Sequence, residues 1–93
     1  MATNGVHIIV SGRVQGVGFR WMTKMVAAKL HITGTVANQM DGSVEIYAVG
    51  ASDQLAQFEA AVKASPTPSG RVSDYQATPL DPVPTFKNFD VIG

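Results

Sequence analysis

Residues 11–20 read SGRVQGVGFR, and this stretch separates an apolar run from the amphipathic segment that follows it. It carries glycines at positions 12, 16 and 18 and ends on Arg20. Without Cβ atoms, the main-chain N–H groups of such a loop can point into one concavity, which is a common arrangement for binding an anion. Arg20 adds a planar, permanently charged group that can hold two phosphate oxygens at once. The stretch therefore predicts an anion site, although the glycines alone are equally compatible with a tight turn.

The segments on either side of this loop predict a strand before it and a helix after it. Apolar residues occupy alternate positions from Val6 to Val10, and a period of two is typical of a strand. After the loop, apolar residues recur every three or four positions, as in a helix: Phe19, Met22, Val26 and Leu30. Gly34 follows as the predicted stop. The loop thus precedes a helix N-terminus, whose free N–H groups and positive dipole end favour an anion.

The rest of the chain predicts a hairpin, a second helix and two further strands. Asp41-Gly42 is a turn signal between strand candidates at 34–38 and 43–50. A second helix is predicted over 53–64 with Ser52 as its N-cap, and it ends at Ser65-Pro66. Residues 71–78 and 86–92 are the last strand candidates. The order strand, helix, strand, strand, helix, strand is typical of an α+β, ferredoxin-like sandwich. We expect an antiparallel sheet with both helices on one face, a short terminal strand, and one domain over residues 1–93.

Composition argues against several classes of partner. Seven basic residues balance seven acidic ones, so the positive charge typical of a nucleic-acid binder is missing, and no basic amphipathic face suggests a membrane partner. The chain has no cysteine, which excludes disulfides and thiolate chemistry. Its start, MATNGVHIIVSG, does not resemble a signal peptide, and we expect a cytoplasmic protein.

The glycine loop does not match the two common nucleotide motifs. A Walker A loop has four residues between its glycines and then Gly-Lys-Ser/Thr, whereas three residues separate Gly12 from Gly16. A dinucleotide-binding loop, Gly-x-Gly-x-x-Gly, needs a third glycine three positions after Gly18, where this chain has Trp21. His7 and His31, the only histidines, make a poor metal constellation, so no metal site is expected.

Other residues near the loop and hairpin have ordinary structural interpretations. Trp21 and Met25 are expected to pack against the core, and Arg13 is expected to point to solvent. Asp41 and Glu45 are close in sequence, but the first serves a turn and the second fits the polar side of a strand. We do not expect them to form a general acid and base pair.

Two segments, GRVQGVGFR at 12–20 and GTVANQMDGSVEI at 34–46, resemble the acylphosphatase family. The resemblance extends over nearly the whole chain, to FDVI at 89–92. It implies a ferredoxin-like enzyme that hydrolyses acyl phosphates to a carboxylate and inorganic phosphate without a metal, and no cofactor is expected. Because such a site recognises the phosphoryl group, we expect inorganic phosphate to be a competitive inhibitor. The resemblance also implies that Arg20 binds the phosphate and that Asn38 orients the attacking water. The family's phosphate-binding main-chain amides fall on Gln15, Gly16, Val17, Gly18 and Phe19.

Elementary chemistry agrees with this assignment. The leaving group is a carboxylate whose conjugate acid has a pKa of roughly 4, by analogy with side-chain carboxyls, so it needs no proton from the enzyme. What the site must do is neutralise phosphoryl charge and hold a water in line. Asparagine is a poor base, so Asn38 would orient that water; from its position alone, it would be a hairpin residue.

Some alternatives stay open at the level of sequence. Thr35 and Ala37 stand where family members often carry an aromatic and a basic residue, so the acyl group is not indicated. The main alternative function is a non-hydrolytic module that binds phosphate or carbamoyl phosphate, as related domains do inside larger carbamoyl-transfer maturation proteins. We expect a monomer that acts on a small molecule.

Overall fold

The computed structural model describes residues 2–93 and has seven elements in the predicted order. Two helices and five strands are present: β1 (Thr3–Arg13), α1 (Phe19–Lys29), β2 (Thr33–Asn38), β3 (Val44–Ala51), α2 (Ser52–Lys63), β4 (Arg71–Pro79) and β5 (Phe89–Val91). The α+β, ferredoxin-like fold is confirmed.

The strands form a single five-stranded sheet in the order β4-β1-β3-β2-β5. β1 pairs antiparallel with both β3 and β4, so that Ile8 lies opposite Ile46 on one side and Ala77 on the other. β2 also pairs antiparallel with β3. The terminal strand β5 instead joins β2 in parallel, with Phe89 opposite Gly34. The sheet is therefore mixed, and the parallel pairing is a feature that the sequence did not predict.

One face of the sheet packs against both helices and forms the core. Strand residues from β1, β2 and β3 point alternately into this core, and the helices contribute Phe19 and Ala27 from α1 and Leu55, Phe58 and Val62 from α2. Phe58 is fully buried, and its ring meets the Phe89 ring edge-on at a centroid distance of 5.9 Å. This contact ties the terminal strand to α2.

The end of α1 differs from the prediction. The sequence predicts that Gly34 stops the helix, but the residue with left-handed backbone geometry that follows α1 is His31, with φ 56°. The amide of Ile32 donates to the Ala27 oxygen at 2.9 Å, and that of His31 to the Ala28 oxygen at 3.5 Å, the pattern of a Schellman motif. Gly34 lies inside β2 with φ 145°, and a Cβ there would come within 1.7 Å of the Tyr47 carbonyl oxygen. Glycine at position 34 therefore allows β2 to pack closely against β3.

The prediction that Ser52 caps α2 is wrong. The N-cap is Ala51, and no side chain in the described range 2–93 caps this end of the helix. Because Ser52 is already the first helical residue, its hydroxyl is used elsewhere: it accepts from Asn4 Nδ2 at 2.7 Å and donates to the Ala2 oxygen at 3.3 Å. Ser52 thus ties α2 to the N-terminal end of β1.

Candidate functional site

The loop between β1 and α1 is anchored at both ends by buried apolar side chains. Val14 and Phe19 are each only 1% exposed. Between them, Gly16 and Gly18 have φ values of 74° and 80°, a left-handed region that residues with a Cβ rarely adopt. A Cβ at either glycine would meet open space, so it is conformation that requires glycine here, and the loop has an open side.

The main-chain amides of residues 15–19, which we call the amide cradle, have no partner within residues 2–93. None of the hydrogen bonds found among these residues uses one of the five amides as donor. The N-terminus of α1 is equally free, because its N-cap Gly18 has no side-chain acceptor and the first turn has no acidic residue. A free helix N-terminus preceded by unpaired amides attracts an anion.

A cleft of about 420 Å³ opens beside this loop. Four of the predicted site residues line it, namely Gly16, Gly18, Phe19 and Arg20. Two others, Gln15 and Val17, do not line the cleft, although their main-chain amides belong to the cradle.

Further cleft residues were not expected from the sequence. Trp21, Lys24, Asp90 and Val91 also line it. The prediction that Trp21 and Met25 pack against the core is wrong, since these side chains are 60% and 49% exposed. The core stripe of α1 runs through Phe19, Thr23 and Ala27 instead, which leaves Trp21 on the cleft side. Lys24 had one available signal, because it follows Arg20 by four positions and so shares its helix face.

Arg20 and Asn38 come together through a shared acceptor. Arg20 Nη1 donates to the main-chain oxygen of Gly93, and the main-chain amide of Asn38 donates to the same oxygen at 3.2 Å. Asn38 is the last residue of β2 and does not itself line the cleft. Its side-chain oxygen Oδ1 is buried and has no hydrogen-bond partner among residues 2–93. A buried acceptor without a donor is costly unless a water or ligand supplies one.

The predicted roles of Asp41 and Arg13 agree with the structure. Asp41 lies in the β2–β3 turn, where its Oδ1 accepts from the Ser43 hydroxyl at 2.6 Å and from the Ser43 amide at 2.9 Å. These bonds, the hydroxyl first, hold the pKa of Asp41 below its ordinary value of 3.8. Glu45 is occupied by other partners, His7 and Gln39, so Asp41 and Glu45 do not form a pair. Arg13 is exposed at the end of β1.

Residues 2–93 contain no group of three or more His, Cys, Asp or Glu side chains placed to hold a metal ion. No helix in the same range is long and apolar enough to cross a membrane.

Comparison with known proteins gives one consistent family. The family model described as Acylphosphatase matches residues 6–91. A curated acylphosphatase of Latilactobacillus sakei is 60% identical over 95% of this chain and 96% of its own length. The crystal structure of the acylphosphatase from Bacillus subtilis superimposes with a TM-score of 0.92 at 39% identity, over 97% of this chain and 99% of that one. Full-length HypF, in a phosphate- and nucleotide-bound form, is similar over 99% of this chain but only 12% of its own, with TM-score 0.90 and 26% identity.

Proposed function

The chain belongs to the acylphosphatase family and is a hydrolase that acts on acyl phosphates, and we propose that the cleft beside the 15–19 loop is its active site. The observation that carries this proposal is the set of unpaired amides next to Arg20 at the N-terminus of α1. A cation is unfavourable at the positive end of a helix dipole. It becomes favourable when an anion joins it there, and the phosphoryl group is such an anion.

In this proposal the phosphoryl oxygens are bound by the amides of Gln15, Gly16, Val17, Gly18 and Phe19 and by the Arg20 guanidinium. The amides are preorganised by the left-handed glycines, so little reorganisation is needed when charge develops. One Arg20 donor is used by the Gly93 oxygen, and a guanidinium has five N–H groups, so four can serve the ligand.

The reaction needs no acid from the enzyme. The water oxygen attacks phosphorus, the bond from phosphorus to the carboxyl oxygen breaks, and the carboxylate leaves with the bonding electrons. The proton lost by the water passes to the phosphate product or to solvent. We propose that this happens without a metal or cofactor, because the amides and Arg20 already supply the donors that neutralise phosphoryl charge.

We propose that Asn38 orients the attacking water. Its Oδ1 is a buried acceptor without a partner, and an amide oxygen can accept a hydrogen bond from water while being too weak a base to take the proton. The shared Gly93 oxygen places the Asn38 main chain beside the Arg20 guanidinium.

The remaining proposals concern partners and setting. Inorganic phosphate is the product and should compete with substrate, because the site is built around the phosphoryl group. The balanced charge of the chain favours a small-molecule substrate over nucleic acid or a membrane. A single-domain, monomeric and cytoplasmic enzyme is the simplest arrangement, and light scattering after gel filtration tests the monomer.

Non-hydrolytic anion binding is the competing proposal, since HypF shares the fold within a much longer chain. Turnover distinguishes the two. We expect acetyl phosphate to be hydrolysed at the same rate with and without EDTA. Asn38→Ala should lower kcat by about 100-fold while the inhibition constant for inorganic phosphate changes little, the signature of an interaction made mainly in the transition state.

Asn88→Ala is the matched control, because Asn88 is exposed and its side chain has no hydrogen bond within residues 2–93. Failure of the folded parent protein to hydrolyse acetyl phosphate would favour the binding module. Activity that EDTA abolishes and a divalent ion restores would refute the metal-free mechanism. An Asn38→Ala enzyme with parental kcat would leave Asn38 as a hairpin residue only.

A further inference from the structure

We propose that the side chain of Gln15 is a positioning residue, which holds the amide cradle in register with Asn38, and that Glu45 steadies the acceptor end of this bridge through Gln39. The inference rests on the active site proposed above. It concerns the side chain of Gln15, whereas the cradle uses only its main-chain amide.

The Gln15 side chain joins the cradle loop to the β2–β3 hairpin. Its Nε2 donates to the Gln39 carbonyl oxygen at 2.8 Å and to the Ser43 carbonyl oxygen at 2.9 Å. The two acceptors lie 24 and 28 residues further along the chain. A carboxamide nitrogen has two N–H groups, so both are used by these carbonyls. Since Gln15 is half-buried, neither bond is freely exchanged for water.

The acceptor end of the bridge is itself fixed. The main-chain amide of Gln39 donates to the same Ser43 carbonyl oxygen at 2.8 Å, and Ser43 is only 4% exposed. On the other side, Gln39 Nε2 donates to Glu45 Oε1 at 2.8 Å. The second oxygen of Glu45, Oε2, lies 2.8 Å from His7 Nε2, and the His7 ring stacks on Tyr47 at 4.6 Å. Gln39 is therefore held by a main-chain bond to Ser43 and a side-chain bond to Glu45 of β3, and Glu45 is in turn held by His7 of β1.

The bridge acts on Asn38 through the chain itself. Asn38 directly precedes Gln39, and its unpartnered Oδ1 is the atom proposed to orient water. The opposite side of the loop is tied separately, because Thr67 Oγ1 donates to the Val17 oxygen at 3.1 Å. Without the Gln15 bonds, the loop would stay attached to the segment before β4 but lose its tie to the hairpin. The phosphate would then still bind, with the water out of line.

A double-mutant cycle between Gln15 and Asn38 tests this role. We expect Gln15→Ala to lower kcat by about 10- to 100-fold, the range produced by small misplacement of reacting groups, with the phosphate inhibition constant changed less than about threefold. In the Asn38→Ala background, the same substitution should lower kcat less than about threefold, because the group that it positions is already gone. Gln57→Ala, on the exposed face of α2, is the matched control and should leave kcat unchanged in both backgrounds.

Each outcome separates this inference from the proposed function. If Gln15→Ala lowers kcat equally in both backgrounds, or not at all, the positioning role is refuted while Asn38 keeps its function. If the kcat of Asn38→Ala alone equals that of the parent, the water-orienting role of Asn38 and the positioning role of Gln15 are both refuted. Should Gln15→Ala melt below the assay temperature, Gln39→Leu replaces it in the cycle, because it removes the bond to Glu45 but keeps the main-chain acceptor. We expect a smaller kcat loss of about three- to tenfold with the same non-additivity, and equal losses in both backgrounds would refute the proposal.

Discussion

Replacing Arg20 by lysine separates charge from geometry in the proposed phosphate site. Arg20 is half-buried at the second position of α1 and lines the cleft, and one of its N–H groups is held by the Gly93 oxygen. This contact aims the planar guanidinium before the ligand arrives. Lysine keeps the positive charge but loses the rigid planar fork, so it cannot present two donors to the same phosphate in a fixed bidentate geometry.

The expected magnitude follows from the number of bonds lost. A hydrogen bond to a charged group contributes about 1.5–3 kcal/mol, and one of the two fork contacts is lost in the lysine variant. At about 1.4 kcal/mol per tenfold change in an equilibrium constant, the Kd for inorganic phosphate should rise about 10- to 150-fold. Because the cleft is open, we expect a value towards the lower end of this range.

Calorimetric titration of phosphate, together with competitive inhibition of acetyl phosphate hydrolysis, measures the effect twice. Arg13→Lys is the matched control, since Arg13 is exposed at the end of β1 and does not line the cleft. Its phosphate Kd should stay within about twofold of the parent, because exposed charges interact weakly. Unchanged phosphate affinity in a folded Arg20→Lys protein would show that the anion binds elsewhere and would refute the proposed site.

Three further predictions concern stability. Gly34→Ala should lower the free energy of unfolding by about 4 kcal/mol or more, measured in urea, because the new Cβ collides with the Tyr47 carbonyl; a loss below about 1 kcal/mol would contradict the close strand packing. Phe58→Ala should cost about 3–5 kcal/mol by the same assay, since the side chain is fully buried, and a surface-like loss would argue against its place in the core. The bonds from Ser43 lower the pKa of Asp41, so they stabilise the fold above pH 3.8, and this stabilisation is lost as the pH falls through the folded-state pKa. Asp41→Asn should therefore flatten the dependence of the free energy of unfolding on pH in this acid range. An identical dependence in the variant would show that the bonds to Ser43 do not favour the ionised form in solution.

The sequence by itself determined the order of the elements, and it predicted an anion site at the glycine loop. Hydrophobic periods of two and of three to four residues depend only on local backbone geometry, so the first strand and the first helix could be placed correctly. The hairpin could be placed because Asp41-Gly42 is a local turn signal. The left-handed glycines at 16 and 18 are also a local requirement, which is why the anion loop could be inferred before its surroundings were known.

What the sequence could not determine depends on which distant segments meet. The parallel pairing of β5 with β2 brings together distant segments, as does the packing of Phe89 on Phe58. Gly34 is explained by the Tyr47 carbonyl rather than by the helix that precedes it. Lys24 and Asp90 line the same cleft only because α1 lies beside β5. The two hydrogen bonds of the Gln15 side chain also depend on tertiary packing, since their acceptors are 24 and 28 residues away and are positioned by a hairpin turn. Local periodicity specifies which way a side chain faces, but only tertiary packing brings a donor and a distant acceptor within hydrogen-bonding distance.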